Sequence, residues 1–176
     1  MNSFKVRSNS IRKNARLRIQ SESRAQGTQG FSLIELLIVV AIIGIISAIA
    51  IPNLLASRRA ANEASAVSAI RTLSSSEESY RVTFGSGNKF ATLPQLLGKG
   101  MIDTTLASAT TITNAKSGYI YGVVVAADGT GFCAGAAPAT VNTGTRNFST
   151  DTPGVIYAHP RNVATPPTTV SGGTPL

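Results

Sequence analysis

The side chains able to do chemistry are few and scattered. The 176 residues hold one cysteine, Cys133, and one histidine, His159. A single Cys leaves no intrachain disulfide, and one Cys with one His does not make an ordinary structural zinc site. His159, beside Pro160 near the carboxyl terminus, reads as a surface imidazole. Cys133 lies in a β-prone run and reads as a small buried apolar residue. Asp103, Asp128 and Asp151 are too dispersed for a convincing oxygen cage. No catalytic constellation emerges, so the chain reads as a non-enzymatic protein with no resident cofactor. What stands out is Gly30-Phe31-Ser32-Leu33-Ile34-Glu35, followed from Leu36 to Ile51 by residues that are all apolar or small. A carboxylate inside such a helix costs roughly 2–4 kcal/mol on insertion scales, more where it cannot reach water. Glu35 therefore either snorkels to a polar layer or has a partner.

The elements that would carry these residues follow from composition. Of the 16 Lys and Arg and 8 Asp and Glu, residues 1–30 hold seven bases and one acid, so the net charge of +8 is mostly a property of that segment. A strongly basic balance of this kind does not indicate a nucleic-acid-binding domain, and DNA binding is not expected. Residues 31–52 form a helix apolar all round; from Phe31 to Ile51 it would rise about 31 Å, the hydrocarbon thickness of a bilayer. Pro52 is expected to bend it or remove a hydrogen bond. Gly44, with Ser47 and Ala48, would permit close approach of another helix. Over 53–84 the helix turns amphipathic: Ala66, Ile70, Leu73, Tyr80 and Phe84 share a face, with Arg58, Arg59, Arg71 and Arg81 mostly off it. Glu77 falls on the apolar stripe without an evident reason. Gly85-Ser86-Gly87-Asn88 ends the helix.

Residues 85–163 read as a small α+β cap. Thr92 N-caps a short helix over Leu93 to Leu97; the Thr- and Ser-rich segment 103–118 reads as loop. Tyr119–Ala127 and Gly131–Ala137 form a hairpin across Asp128-Gly129, and Asn147–Thr150 with Val155–Ala158 a second. The tail 164–176, with Pro166-Pro167 and Gly172-Gly173, has the composition of a disordered segment. The expected fold is α+β: one long helix against a small antiparallel sheet.

A basic segment before an apolar run has three generic readings. It is a cleaved signal peptide with its apolar region at Leu36–Ile46 and cleavage near Ala48 and Ala50, or an uncleaved anchor with a cytoplasmic amino terminus, or a chain cut before the apolar run. The run from Gly30 through Glu35 into Leu36-Leu37-Ile38-Val39-Val40-Ala41-Ile42-Ile43-Gly44, continued by Ala48-Ile49-Ala50-Ile51-Pro52-Asn53-Leu54, closely resembles the amino terminus of type IV prepilins and type II secretion pseudopilins. The resemblance is tight over residues 30 to about 60.

It implies a 1–30 leader removed by a prepilin peptidase, cleavage between Gly30 and Phe31, and methylation of the new Phe31 amino group. A side-chain-free Gly30 suits an extended peptide in a protease site. It also implies a single-pass inner-membrane precursor that polymerises into a periplasmic or extracellular filament, served by assembly ATPases and a membrane platform. In that filament the Phe31 amino group of a shifted neighbour would pair with Glu35 and set axial register. A 30-residue leader is long for the family, so a start at Val6 or Leu17 is an alternative. Some pseudopilins bind calcium in a carboxyl-terminal loop; Gly144 to Asp151 is the comparable stretch here.

Overall fold

The computed structural model describes residues 30–152, 154–162, 164–169 and 171–176. The basic leader, 1–29, lies outside them. The chain divides into two compact units, residues 1–40 and 41–176.

In the first unit the described residues enter α1 (Leu33–Thr83), a 51-residue helix. It is unbroken through Pro52. In the second unit, the latter half of α1 packs on a five-stranded antiparallel sheet of order β1-β2-β3-β4-β5. The strands are β1 (Tyr119–Val125), β2 (Phe132–Pro138), β3 (Arg146–Asp151), β4 (Ile156–Pro160) and β5 (Thr174–Pro175). Register pairs Tyr121 with Ala136, Ala136 with Phe148, and Phe148 with Ala158.

The helix face that meets the sheet is Glu63, Ala66, Ala69, Ile70, Leu73, Ser76 and Glu77, all buried, with Glu63, Ala66, Ile70, Leu73 and Glu77 recurring at three and four. Alternate strand residues answer it: Tyr119, Tyr121, Ala134, Ala136, Phe148 and Ile156 join Ala66, Ile70 and Leu73 in one core. The stripe is shorter than expected. Tyr80 is half-buried and Phe84 is 46% exposed, because α1 ends at Thr83 and the chain reverses through Ser86 and Gly87, both at positive φ. Phe84 instead carries the Lys99 ammonium over its ring at 4.6 Å.

Thr92 does N-cap α2 (Leu93–Gly98), its N–H donating to Gln95 Oε1 at 2.8 Å. The segment expected as loop after Asp103 contains α3 (Thr104–Ser108), whose cap is the Asp103 carboxylate accepting from Leu106 N at 3.2 Å, and a 3-10 turn at Ile112–Asn114. Asp at an N-cap was a legible signal that low apolar content obscured.

The tail is the larger correction. Residues 164–167 lie against the sheet face opposite α1, where the Ala164 N–H donates to Pro138 O at 2.9 Å, and further on β5 adds to the β4 edge through Tyr157 and Ala158. The sheet has made room for it. Gly122 meets the Pro166 ring, and a Cβ on Gly135 would run into the carbonyl oxygen of Pro167. The buried Asn147 amide donates to the carbonyls of Asn162 and Thr165, both at 3.1 Å. Proline and glycine mark an absence of helix or interior strand; a segment laid across a ready-made groove needs neither. This cover explains why β2 is buried on both faces.

Two acids fasten α1 to the cap. Glu63 Oε1 accepts from the Thr145 N–H at 2.7 Å, and Glu63 Oε2 from Arg146 Nη2 at 2.9 Å. Burial works against the charge, but these bonds outweigh it and hold the carboxyl below its usual range. Glu77 is fully buried, with Oε2 accepting from Ala91 N at 2.9 Å and Oε1 unpartnered among the described residues. Burial pushes its carboxyl up to about 7, against the single backbone bond.

Because the folded value exceeds the ordinary one, the protonated Glu77 stabilises the fold fully below the usual carboxylate range, and that contribution is lost as pH rises through about 7. The contribution of Glu63, whose carboxyl is lowered, is present above the carboxylate range and lost only as pH falls below it, so it does not vary across this window. Urea unfolding of the detergent-solubilised chain should show Glu77→Gln gaining roughly 1–3 kcal/mol on wild type at about pH 8 and little at about pH 5.

Candidate functional site

The segment singled out by sequence lies where α1 begins. Gly30, Phe31 and Ser32 precede the first helical residue, Leu33, and all are exposed. Among the described residues nothing lies within 4 Å of where a Gly30 Cβ would stand, and Phe31 is 89% exposed. An open backbone followed by an unpacked aromatic side chain is accessible to another molecule.

Ser32 starts the helix. Its carbonyl accepts the Leu36 N–H at 3.2 Å, and its own N–H donates to Glu35 Oε2 at 2.9 Å. This is the return half of a capping box, in which a carboxylate three residues into the helix satisfies the N-cap amide. It also sets a negative charge near the positive end of the helix dipole. Ser32-Leu33-Ile34-Glu35 carries that pattern in its spacing, a local role for Glu35 that reading it only against the apolar run overlooks.

From Leu36 onward α1 turns its apolar side chains outward. Leu37, Val40, Ile43, Ile46 and Ile49 are among the large residues left more than half exposed. A helix this long and this apolar meets the length and composition of a membrane span. Gly44 has open space around it, Ser47 is half-buried, and Pro52 stands inside the same helix. Proline has no N–H, so the helix forgoes one backbone bond there.

The other candidates are dispersed over the cap. Cys133 is buried and opposite Asp151 in the β2–β3 register; burial, with the nearby Asp151 charge, raises its thiol to about 11. His159 is partly buried and closer to a partner than expected, its Nε2 lying 2.6 Å from Ser149 Oγ on the adjacent strand. Burial lowers its pKa. Asp103 caps α3, and Asp128 accepts from Thr130 within the β1–β2 turn. Most of the stretch from Gly144 to Asp151 is strand β3 rather than a loop, paired on both edges. Among the described residues no three His, Cys, Asp or Glu side chains gather as metal ligands.

Comparison with known proteins falls on the amino-terminal segment. Residues 26–51 match the family described as the prokaryotic N-terminal methylation motif. The chain is also 44% identical over 57 residues to the type IV wide pilus major component PilA4 of Thermus thermophilus. Its amino-terminal segment is similar to that of a type IV pilin. That match takes in 32% of this chain and 44% of the relative, so the chain spans less than half the length of the relative it matches. No solved structure matches. Beyond that segment the fold rests on its own geometry, the latter half of a long helix against a small antiparallel sheet.

The capping bond is measurable in the intact protein. Replacing Glu35 with Ala removes the acceptor of the Ser32 N–H and should weaken the first turn by roughly 1 kcal/mol, about fivefold. Amide exchange at Ser32 in micelles should speed up by that factor, while amides beyond Ile38 exchange as in wild type.

Proposed function

We propose that the chain is the precursor of a type IV pilin, a structural, non-enzymatic filament subunit. The observation that carries this reading is Glu35: a carboxylate in the first turn of an apolar, outward-facing helix, just after an open Gly30–Phe31 junction. The methylation-motif match over 26–51 supports it. Prepilin peptidase would cut between Gly30 and Phe31 and the new Phe31 amino group would be methylated. The mature chain is then an inner-membrane protein held by residues 31–52, its cap outside the cytoplasm.

Cleavage changes the electrostatics of the helix start. It replaces a neutral peptide group with a cation, in a segment whose nearest charge is Glu35. Within the mature subunit that carboxylate retains the Ser32 amide through one oxygen. Its second oxygen is available to the Phe31 amino group of a neighbouring subunit. Taking both charges into a packed helical core is costly unless they meet, and leaving one unpaired costs several kcal/mol. The pair therefore acts as a register device as well as an attraction. The exposed apolar residues, which lipid covers before assembly, are covered by neighbouring helices afterwards. Assembly ATPases and a membrane platform would drive that transfer. The name of the Thermus relative, a major component of a type IV wide pilus, favours a pilus over the pseudopilus of a type II secretion system.

Mass spectrometry of the protein purified from cells should find an amino terminus at Phe31 carrying one methyl group, and Gly30→Trp should block cleavage. A terminus near Ile51 would instead mean an ordinary signal peptide and an exported soluble protein.

Glu35→Ala should be processed and inserted at least as well as wild type yet yield under a tenth of the filaments, since losing the pair removes several kcal/mol per subunit contact. Normal filaments from cells lacking wild-type subunit would sink the charge-pairing mechanism.

A further inference from the structure

The charges of the second unit are distributed unevenly. Residues 41–176 hold nine bases and six acids. Around the far part of α1 and the β1–β2 and β3–β4 turns, four bases (Arg71, Arg81, Lys89, Lys99) are balanced by Glu77, Glu78, Asp128 and Asp151. At the other end, Arg146 is held by Glu63 and Lys116 by Asp103. That leaves Arg58, Arg59 and Arg161, which have no carboxylate within ion-pair distance among the described residues and no acid of their region left to offset them, so with every acid ionised the excess of three positive charges falls on them.

Two of those side chains, Arg59 and Arg161, converge on one loop, and Arg58 precedes Arg59 on α1. Arg59 Nε lies 3.4 Å from the carbonyl oxygen of Asn142, and Arg161 Nη1 donates to the carbonyl oxygen of Val141 at 3.1 Å. Asn62 Nδ2 donates to Thr143 O at 2.9 Å and Glu63 accepts from Thr145, which fixes this loop, 139–145, beside residues 59–63 of α1. Its tip presents Val141 to solvent, 53% exposed. Just before Arg58 on the same helix stand Leu54 and Leu55, 55% and 41% exposed. Arg58 follows Pro52, where the span ends, by six residues, about 9 Å of rise, from which a guanidinium on its long stem reaches back to the headgroup layer.

We infer that this end of the cap is a docking surface for anionic phospholipid headgroups, used while the subunit is still in the membrane. The inference rests on the membrane-anchored reading above. Three guanidiniums without a carboxylate partner, Arg58 within reach of the headgroup layer and Arg59 and Arg161 on the adjoining loop, match lipid phosphates in charge, and guanidinium forks suit phosphate oxygens. Val141 between Arg59 and Arg161 is placed to enter the interface as an apolar tip. Docking there holds the cap against the bilayer, and extraction into a filament must release it.

The test uses the full chain reconstituted in vesicles of phosphatidylcholine, alone or mixed with phosphatidylglycerol, with amide exchange read over residues 139–145. Phosphatidylglycerol should slow exchange there about tenfold or more, since each basic residue near a charged surface adds a several-fold gain. High salt should abolish the slowing. The triple variant Arg58→Gln, Arg59→Gln, Arg161→Gln should show the same exchange in both vesicles. Arg58→Gln alone, which removes no hydrogen bond or ion pair among the described residues, should lose a several-fold share. Reading the ratio between the two lipids separates docking from any loosening of the loop. Equal exchange in both vesicles for inserted wild type overturns the inference, and so does a triple variant that keeps the wild-type ratio. Slowing by inorganic phosphate in phosphatidylcholine vesicles would overturn lipid as the occupant. Resistance to carbonate extraction is scored in parallel: a chain washed off both vesicles overturns the anchored reading itself.

Discussion

A carboxylate one turn into an otherwise apolar helix has to be reconciled with its surroundings, and Glu35 is reconciled locally first. Its bond to the Ser32 N–H satisfies an amide that the helix start would otherwise leave open and places negative charge at the positive end of the dipole. That bond makes the isolated subunit tolerable, and one oxygen remains uncommitted. In the proposed filament this second oxygen receives the countercharge that cleavage creates, so a helix-capping residue doubles as an assembly contact without rearranging the helix.

The second half of α1 solves a different problem. It must hold a small sheet while its polar residues meet no lipid. Ala66 and Ala69 bring the helix close, Ile70 and Leu73 fill the core, and Glu63 draws in Thr145 and Arg146. Glu77, the residue that looks wrong on the apolar stripe, holds the Ala91 amide where the chain returns after the helix. A buried backbone N–H without an acceptor costs about as much as a lost hydrogen bond, and α1 supplies the acceptor from its own face at the expense of a raised carboxyl pKa. On the opposite sheet face, Gly122 and Gly135 leave the depth that the tail occupies.

Much of this was legible in the residues, and the misses have physical causes. The long helix, the short capped helix at Thr92 and both hairpins follow from periodicity, capping residues and turn chemistry, all of which act within a few residues. Ser32 and Glu35 were legible as a capping pair too. The tail was not, because its order comes from Pro166, Pro167 and Gly173 meeting residues far away in sequence. Phe84 was placed in the core by spacing and left it because Ser86 and Gly87 reverse the chain one residue too soon. The Ser149–His159 contact depends on β3–β4 register, which a one-residue slip would have destroyed.

By itself, then, the sequence determined where the charge lies, which stretch is apolar enough to cross a bilayer, and that one acid interrupts it beside a Gly–Phe junction. These are properties of adjacent residues. Only the tertiary structure decided that Glu63 and Glu77 bind different parts of the cap, that residues 164–167 cover the second face of the sheet, and that Arg59 and Arg161 meet on one loop. Those outcomes depend on contacts between residues tens of positions apart, whose pairing is chosen by packing and hydrogen-bond satisfaction rather than by local preference.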